Sequence, residues 1–211
     1  MRSISKQSVK DQVYEIIKTK ILTQEYKLGE KINMLALEQE LNVSNSPIRE
    51  ALSRLEQDGL IVFATNSGPR VMDITENVFR QIVETTRILL CGAYDMCVEK
   101  GLTDELVAIM EEKLENQRKN ISESDSVFAD TTIKFDMCFL ELLKNDILQS
   151  LCGPLSNKLF LIVLYDHQNY DIDREANIRE HEMILDAIRK QEHALVKERL
   201  RFHYSRIVDF N

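Results

Sequence analysis

The sequence predicts a mainly α fold in two parts, an N-terminal winged helix-turn-helix over residues 1–73 and an all-helical bundle over residues 74–211. Three observations carry that expectation. Six glycines and three prolines in 211 residues leave little turn material, while helix formers such as Leu, Glu and Lys dominate. Apolar residues recur at helical spacing through almost every long segment. The exception is a pair of short β-type runs either side of residues 64–69, and it closes the first part.

Val9, Val13, Ile16, Ile17 and Ile21 share helical spacing, so residues 8–23 read as an amphipathic helix with Lys10, Lys18 and Lys20 on its wet side. A turn at Lys27-Leu28-Gly29 follows. Asn33 is placed to cap a short helix that buries Leu37 and Leu41, and the turn-formers Asn42-Val43-Ser44-Asn45 end it. Ser46-Pro47 is the expected start of the next helix, a capping hydroxyl followed by proline at the first helical position, where its missing N–H is harmless. Ile48, Ala51, Leu52 and Leu55 form its buried stripe, and Asp58-Gly59 ends it. Residues 60–63 and 70–72 then flank Ala64-Thr65-Asn66-Ser67-Gly68-Pro69 as two strands joined by a tight loop. From residue 75 the helical period returns, over 76–100, 103–120, 125–144, 147–165, 173–190 and 193–209.

Hydrophobic residues make up 44% of the chain and charged residues 29%, which supports packed cores and excludes a disordered tail or a fibre. Lys plus Arg number 27 against 35 Asp plus Glu, and the net charge of -8 argues at first against a polyanionic partner. Dividing the chain changes that inference. Residues 1–73 hold ten basic and ten acidic residues, a balance of zero, so the remaining 17 basic and 25 acidic residues carry the whole deficit. The first part is free to meet nucleic acid, with low non-specific affinity. Cys91, Cys97, Cys138 and Cys152 show no CxxC spacing and no signal peptide precedes them, so reduced thiols in a soluble, cytoplasmic protein are expected. Eighteen apolar residues nowhere run together, and the most apolar stretch, residues 159–164, is too short to span a bilayer, so no membrane is expected as a partner.

A helix-turn-helix presents the N-terminal end of its second helix to the major groove. That end carries Ser44, Asn45, Ser46 and Arg49, with Arg54 further along. Arg49 can donate twice to a guanine edge, and Asn45 can pair with adenine. The hairpin tip, Asn66-Ser67-Gly68, is small enough to approach a phosphate or minor groove, and Arg70 lies beside it. Double-stranded DNA is the partner this pattern suits; a protein-interaction module is the other reading of a winged helix.

The run Leu41-Asn42-Val43-Ser44-Asn45-Ser46-Pro47-Ile48-Arg49-Glu50-Ala51-Leu52, with Arg54-Leu55 and Asp58-Gly59-Leu60-Ile61, resembles the DNA-binding signature of the GntR superfamily of bacterial transcription regulators. The likeness covers residues 10–73. An all-helical second domain of this length is similar to the FadR-like branch, whose ligand-binding bundle is called FCD. The resemblance implies DNA contacts at Ser44, Asn45, Ser46, Pro47, Arg49 and a wing at Ser67 and Gly68. It further implies a homodimer on a palindromic operator, commonly a repressor released by a small organic acid. This chain departs at Asn45, where the family usually has arginine, and that removes a cation from the groove.

In the second part, His181 lies three, four and seven residues before Ile184, Leu185 and Ile188, and His203 shares a face with Val196, Leu200 and Ile207. Both imidazoles should point inward. If the chain reverses near Glu192, the two stand eleven residues either side of the turn and lie level. Thr132 and Asp136 fall on or beside the buried stripe of Phe128, Phe135, Phe139 and Leu143. A buried carboxylate needs a cation, a protonated histidine or a ligand, and two histidines with one aspartate suit a divalent metal with open positions. Core histidines satisfied by hydrogen bonds, beside a half-exposed Asp136, are the alternative. An enzyme using Asp136, His181 and His203 as a metal site is a further one, although the paired Glu-x-x-His of diiron bundles is absent.

The family resemblance implies zinc or a nickel-like divalent metal, held by an aspartate and a histidine four apart plus two histidines on the closing helices. His181 and His203 match the latter pair, while Thr132 and Asp136 stand where the aspartate and histidine are expected. A set of three ligands remains. The resemblance also implies an arginine on the first bundle helix that meets the effector's carboxylate. Arg87 is the matching position, and the alternative for it is a surface pair with Glu84. Thr132, Tyr94 and Asn157 are further effector candidates, and Cys91 replaces a glutamate usual in relatives.

Overall fold

A computed structural model describes residues 7–64, 67–170 and 173–205. The chain divides into two compact units, Met1–Ile74 and Thr75–Asn211.

The first unit contains α1 (Val9–Leu22), α2 (Met34–Leu41), α3 (Asn45–Gln57) and a hairpin of β1 (Ile61–Ala64) and β2 (Gly68–Val71). Its core is Val13, Ile17 and Ile21 of α1 against Ile48, Leu52 and Leu55 of α3, with Leu37 of α2 beneath them. Val9 and Ile16, expected in the stripe, are exposed at 51% and 38%, because Tyr14 occupies the buried face and donates its hydroxyl to Asp58. Lys20 is mostly covered rather than wet, bridging Glu25 at 2.7 Å and Glu40 at 2.6 Å. Leu41 is half-buried at the last turn of a short helix.

Asn33 caps α2 as its sequence suggests, its side chain accepting from the amides of Leu35 and Ala36. Asn42 closes that helix in the left-handed conformation. The next helix starts earlier than Ser46: Asn45 is its first residue and Ser44 its N-cap, without a side-chain capping bond. Pro47 thus sits third rather than first. Amides of the first helical turn have no intrahelical acceptor, so proline is tolerated there too. Gly59, at φ +73°, turns the chain out of α3, and the amide of Leu60 closes the turn on the carbonyl of Leu55.

The strands reach further into the expected loop than their sequence indicates. Ala64 pairs with Gly68 and Phe63 with Pro69, so only residues 65–67 connect them; Thr65 and Asn66 lie outside the described residues. Residues 30–32 cover the open edge of β2, with the Ile32 amide donating to Pro69 and the Val71 amide donating to Glu30. Two short strands alone are marginal, and this third segment secures the wing.

The second unit consists of α4 (Glu76–Glu99), α5 (Thr103–Lys119), α6 (Asp125–Leu142), α7 (Asp146–Asn169), α8 (Arg174–Arg189) and α9 (His193–His203). Helix α6 is buried almost all round, through Phe128, Ile133, Phe135, Met137, Phe139 and Leu140, because α4, α5 and α7 pack on different sides of it. Helix α8 packs against α5 and α9. α7 runs four residues past the expected end, since its polar last turn from Asp166 to Asn169 shows no apolar period. By length and composition α7 could cross a membrane, yet Cys152, Leu159, Phe160, Leu161, Ile162 and Leu164 are buried within the bundle. α9 ends at His203, Tyr204 and Ser205 form a turn, and the remaining expected residues, 206–209 with Ile207, lie outside the described residues. All four cysteines are free thiols.

Candidate nucleic-acid interface and metal centre

The N-terminal end of α3 presents Ser44, Ser46 and Arg49 as exposed side chains, with Asn45 and Pro47 half-buried between them. Asn45 is held from both sides: its amide nitrogen donates to Glu38 and its oxygen accepts from Arg49 Nε. That bond leaves the two Nη groups of Arg49 for a guanine edge or phosphate. Arg54 is differently employed. It pairs with Asp11 at 3.3 Å and its guanidinium lies 3.9 Å from the centre of the Tyr14 ring, so it ties α3 to α1. Arg70 likewise turns inward, donating to the carbonyl of Gly29 at 3.1 Å.

At the wing, the Ser67 amide bonds the Ala64 carbonyl and Gly68 adopts φ +80°, a conformation that suits glycine. Lys31 is the wing cation that the sequence reading missed. It is exposed, it bridges to Arg70 across the sheet, and its side chain runs beside Gly68. Nothing in the linear sequence marks it, because only the pairing of residues 30–32 with β2 brings it there.

In the second unit, α6, α8 and α9 bring Asp136, His181 and His203 together with all their candidate ligand atoms within 4.8 Å of one another. Nε2 of His181 lies 3.5 Å and Nε2 of His203 3.7 Å from Oδ1 of Asp136. Asp136 is 4% exposed, not half-exposed, because α6 is enclosed on this side as well. The other ring nitrogens are taken: His181 Nδ1 meets Gln117 Oε1 at 2.7 Å, and His203 Nδ1 meets Glu180 Oε2 at 2.7 Å. Phe135 stacks on His181 with ring centres 4.0 Å apart.

These residues fit a divalent cation. Ligand atoms about 2.0–2.2 Å from one ion lie roughly 3 Å apart, so the three side chains, at 3.5 and 3.7 Å here, would draw in around it; each histidine is oriented by a bond on its far nitrogen, as metal ligands are. His181 Nε2 is buried and makes no hydrogen bond. Burial also holds this imidazole below its ordinary pKa, against the pull of Asp136, which favours the neutral form that ligates. The Tyr204 hydroxyl is buried beside the same carboxylate, and burial pushes its phenol well up.

A cavity of about 90 Å³ adjoins two of the three candidate ligands, Asp136 and His203. Its polar wall is Thr132, Asp136, Asp166, Asn177, His203 and Tyr204, and apolar residues of α4 and α7 close it. No lysine or arginine is among its described lining residues. Arg87 is half-buried on α4, outside the lining, and makes no ion pair with Glu84 among the described residues. Tyr94 is fully buried elsewhere, its hydroxyl 2.7 Å from His193 Nδ1, and Asn157 is half-buried on α7 away from the cavity wall. Thr132 is therefore the effector candidate that reaches the cavity. A larger open groove of about 610 Å³ runs between α5 and α8, but its charges are already joined, Arg118 to Glu182 and Arg189 to Glu111.

Sequence reading also missed Gln117, Glu180, Asn177 and Asp166. Gln117 was findable, since it continues the buried stripe of Leu106, Met110 and Leu114.

A winged helix-turn-helix with a hydrogen-bonding docking end, in one chain with a helical bundle around a ligand-type cavity, defines a DNA-binding transcription regulator. The sequence profile of "Bacterial regulatory proteins, gntR family" matches residues 9–71, and that of the "FCD domain" matches residues 81–206. The chain belongs to the GntR family regulators that carry an FCD domain. It is 26% identical over 196 residues to the uncharacterized HTH-type transcriptional regulator YdhC of Bacillus subtilis (strain 168), covering 92% of this chain and 87% of that one. It is 24% identical over 188 residues to the Nta operon transcriptional regulator of Aminobacter aminovorans, covering 87% of each. Among solved structures, a GntR chain from Rhodococcus sp. RHA1 superposes with a TM-score of 0.74 at 16% identity, and E. coli McbR/YncC with 0.71 at 20%; both cover 94% of each chain. These place the protein among regulators, and the metal-dependent enzyme falls away as an alternative.

Proposed function

We propose that this regulator is a homodimeric repressor that works in the cytoplasm on a palindromic operator, and that a divalent metal with a small organic acid sets its grip on DNA. The observation that carries the sensing half is the convergence of two oriented histidines on buried Asp136 beside a cavity. On the DNA side, Ser44, Asn45, Ser46, Pro47 and Arg49 meet the major groove, with Ser67, Gly68 and Lys31 at the wing.

Asp136, His181 and His203 would hold zinc or a nickel-like ion. When bound, such an ion supplies the positive charge that attracts a carboxylate. The residues around it do the rest. Asn177 offers a hydrogen bond to an effector, and the apolar wall from α4 and α7 excludes water. Asp136 and Asp166 would repel an acid, and the described lining offers no arginine or lysine, so the acid's affinity depends on the ion. A ligand changes DNA affinity only by binding one arrangement of the protein better than another.

Gel shift against salt tests the reading. A palindromic operator should be retained specifically, with affinity that falls as salt rises and changes when metal and a small dicarboxylic acid are added together. Equal retention of unrelated DNA, or no response to the pair, contradicts it.

A further inference from the structure

Gln117 lies wholly inside the second unit, and its side-chain amide meets Thr132, Asn177 and His181 at once. Nε2 donates to the Thr132 hydroxyl at 2.9 Å and to Oδ1 of Asn177 at 2.7 Å, which uses both amide hydrogens. Thr132 gives its own proton to the carbonyl of Phe128, at 3.1 Å, so towards Gln117 it accepts. The remaining amide atom, Oε1, faces His181 Nδ1 at 2.7 Å, and a carbonyl oxygen only accepts. In this arrangement His181 carries its proton on Nδ1. In the neutral ring this leaves a lone pair on Nε2, the buried atom that makes no hydrogen bond and stands 3.5 Å from Asp136 Oδ1.

Two acceptors facing each other across a buried gap are unfavourable unless a proton or a metal ion lies between them. We propose that Gln117, anchored by Thr132, is a positioning residue that fixes the tautomer of His181 and so aims a bare Nε2 at the cation site. Thr132 offers no carboxylate to a metal; it acts two bonds away, by holding the amide that orients His181. Donation runs from His181 through Gln117 and Thr132 to the Phe128 carbonyl, where it ends on an atom that only accepts. The inference rests on the reading that Asp136, His181 and His203 hold a divalent ion, and it is testable with and without that ion.

The first measurement uses metal-free, ¹⁵N-labelled protein at about pH 8, where the imidazole is neutral, and reads the two ring nitrogens of His181 by long-range correlation spectroscopy. Wild type should show a protonated Nδ1 and a bare Nε2. Gln117→Leu should shift the proton to Nε2 or give a mixture, and Gln117→Glu, which keeps an acceptor oxygen, should restore the wild-type pattern. A proton on Nε2 in wild type, or an unchanged pattern in Gln117→Leu, overturns the proposal. The second measurement titrates Co²⁺ and follows its visible absorption. Gln117→Leu should bind roughly 10- to 100-fold more weakly than wild type, and Gln117→Glu close to wild type; equal affinity in Gln117→Leu counts against the proposal. If wild type takes up no Co²⁺, the metal reading fails while the nitrogen spectra still decide the role of Gln117. Should Gln117→Leu not fold, Thr132→Val, which keeps the shape and removes the anchor, carries the same expectations.

Discussion

Arg49 and Asn45 act as a pair at the DNA-reading end. Asn45 holds Nε of Arg49 and is itself held by Glu38, so the arginine is preset rather than loose. Arg49→Ala should weaken binding to the specific operator by about 1–3 kcal/mol, measured by gel shift at fixed salt; unchanged affinity would mean that α3 does not read the bases. Asn45→Arg returns a cation to the groove and should steepen the salt dependence by about one unit of slope. Both residues were legible in the sequence as hydrogen-bonding types at the start of α3. Their bond was not, nor was the inward turn of Arg54 and Arg70, because long side chains choose between solvent, DNA and neighbouring carboxylates by distances that spacing does not contain.

At the scale of elements, periodicity located the helices well, and it erred at their ends. The α8–α9 hairpin shows both sides: the eleven-residue symmetry about Glu192 put His181 level with His203, and their rings lie 4.8 Å apart. The start of α3 was misjudged because Ser46-Pro47 and Ser44-Asn45 are both acceptable openings, and local chemistry alone does not choose between them. Two predictions belong here. Leu52, fully buried between α1 and α3, should lose about 2–5 kcal/mol of stability on Leu52→Ala, seen in denaturant unfolding of the first unit. The side chain of His167, near the end of α7, is 6% exposed, and burial depresses its pKa below 6.5 despite nearby Asp125. The unfolded chain then takes the proton more readily, so this stability is complete above 6.5 and is lost as pH falls below it. Between about pH 7.5 and 5.5, the melting temperature of wild type should drop more than that of His167→Gln. Parallel curves would show that His167 stays solvated.

For the molecule as a whole, the acidic excess sits with the sensor and leaves the DNA-reading unit neutral in formal charge. Tight operator binding should then require two heads on one palindrome, and sedimentation of the 24.5 kDa chain should give about twice that mass at micromolar concentration. A monomer under those conditions would remove the palindrome from the account. The sensor's cavity is where the whole was least legible. Three candidate ligands could be named from their faces, but spacing said nothing of a cavity for Arg87, Tyr94 and Asn157, and their placement outside its lining depends on how α4 and α7 are rotated in the bundle.

If Asp136, His181 and His203 bind a metal through which an acid acts, elemental analysis of protein purified without chelator will reveal it. Wild type should carry about one divalent ion per chain, and His203→Ala, with one of three ligands removed, should be largely empty. Wild-type protein free of stoichiometric metal, and unable to take up zinc or nickel on dialysis, would contradict it.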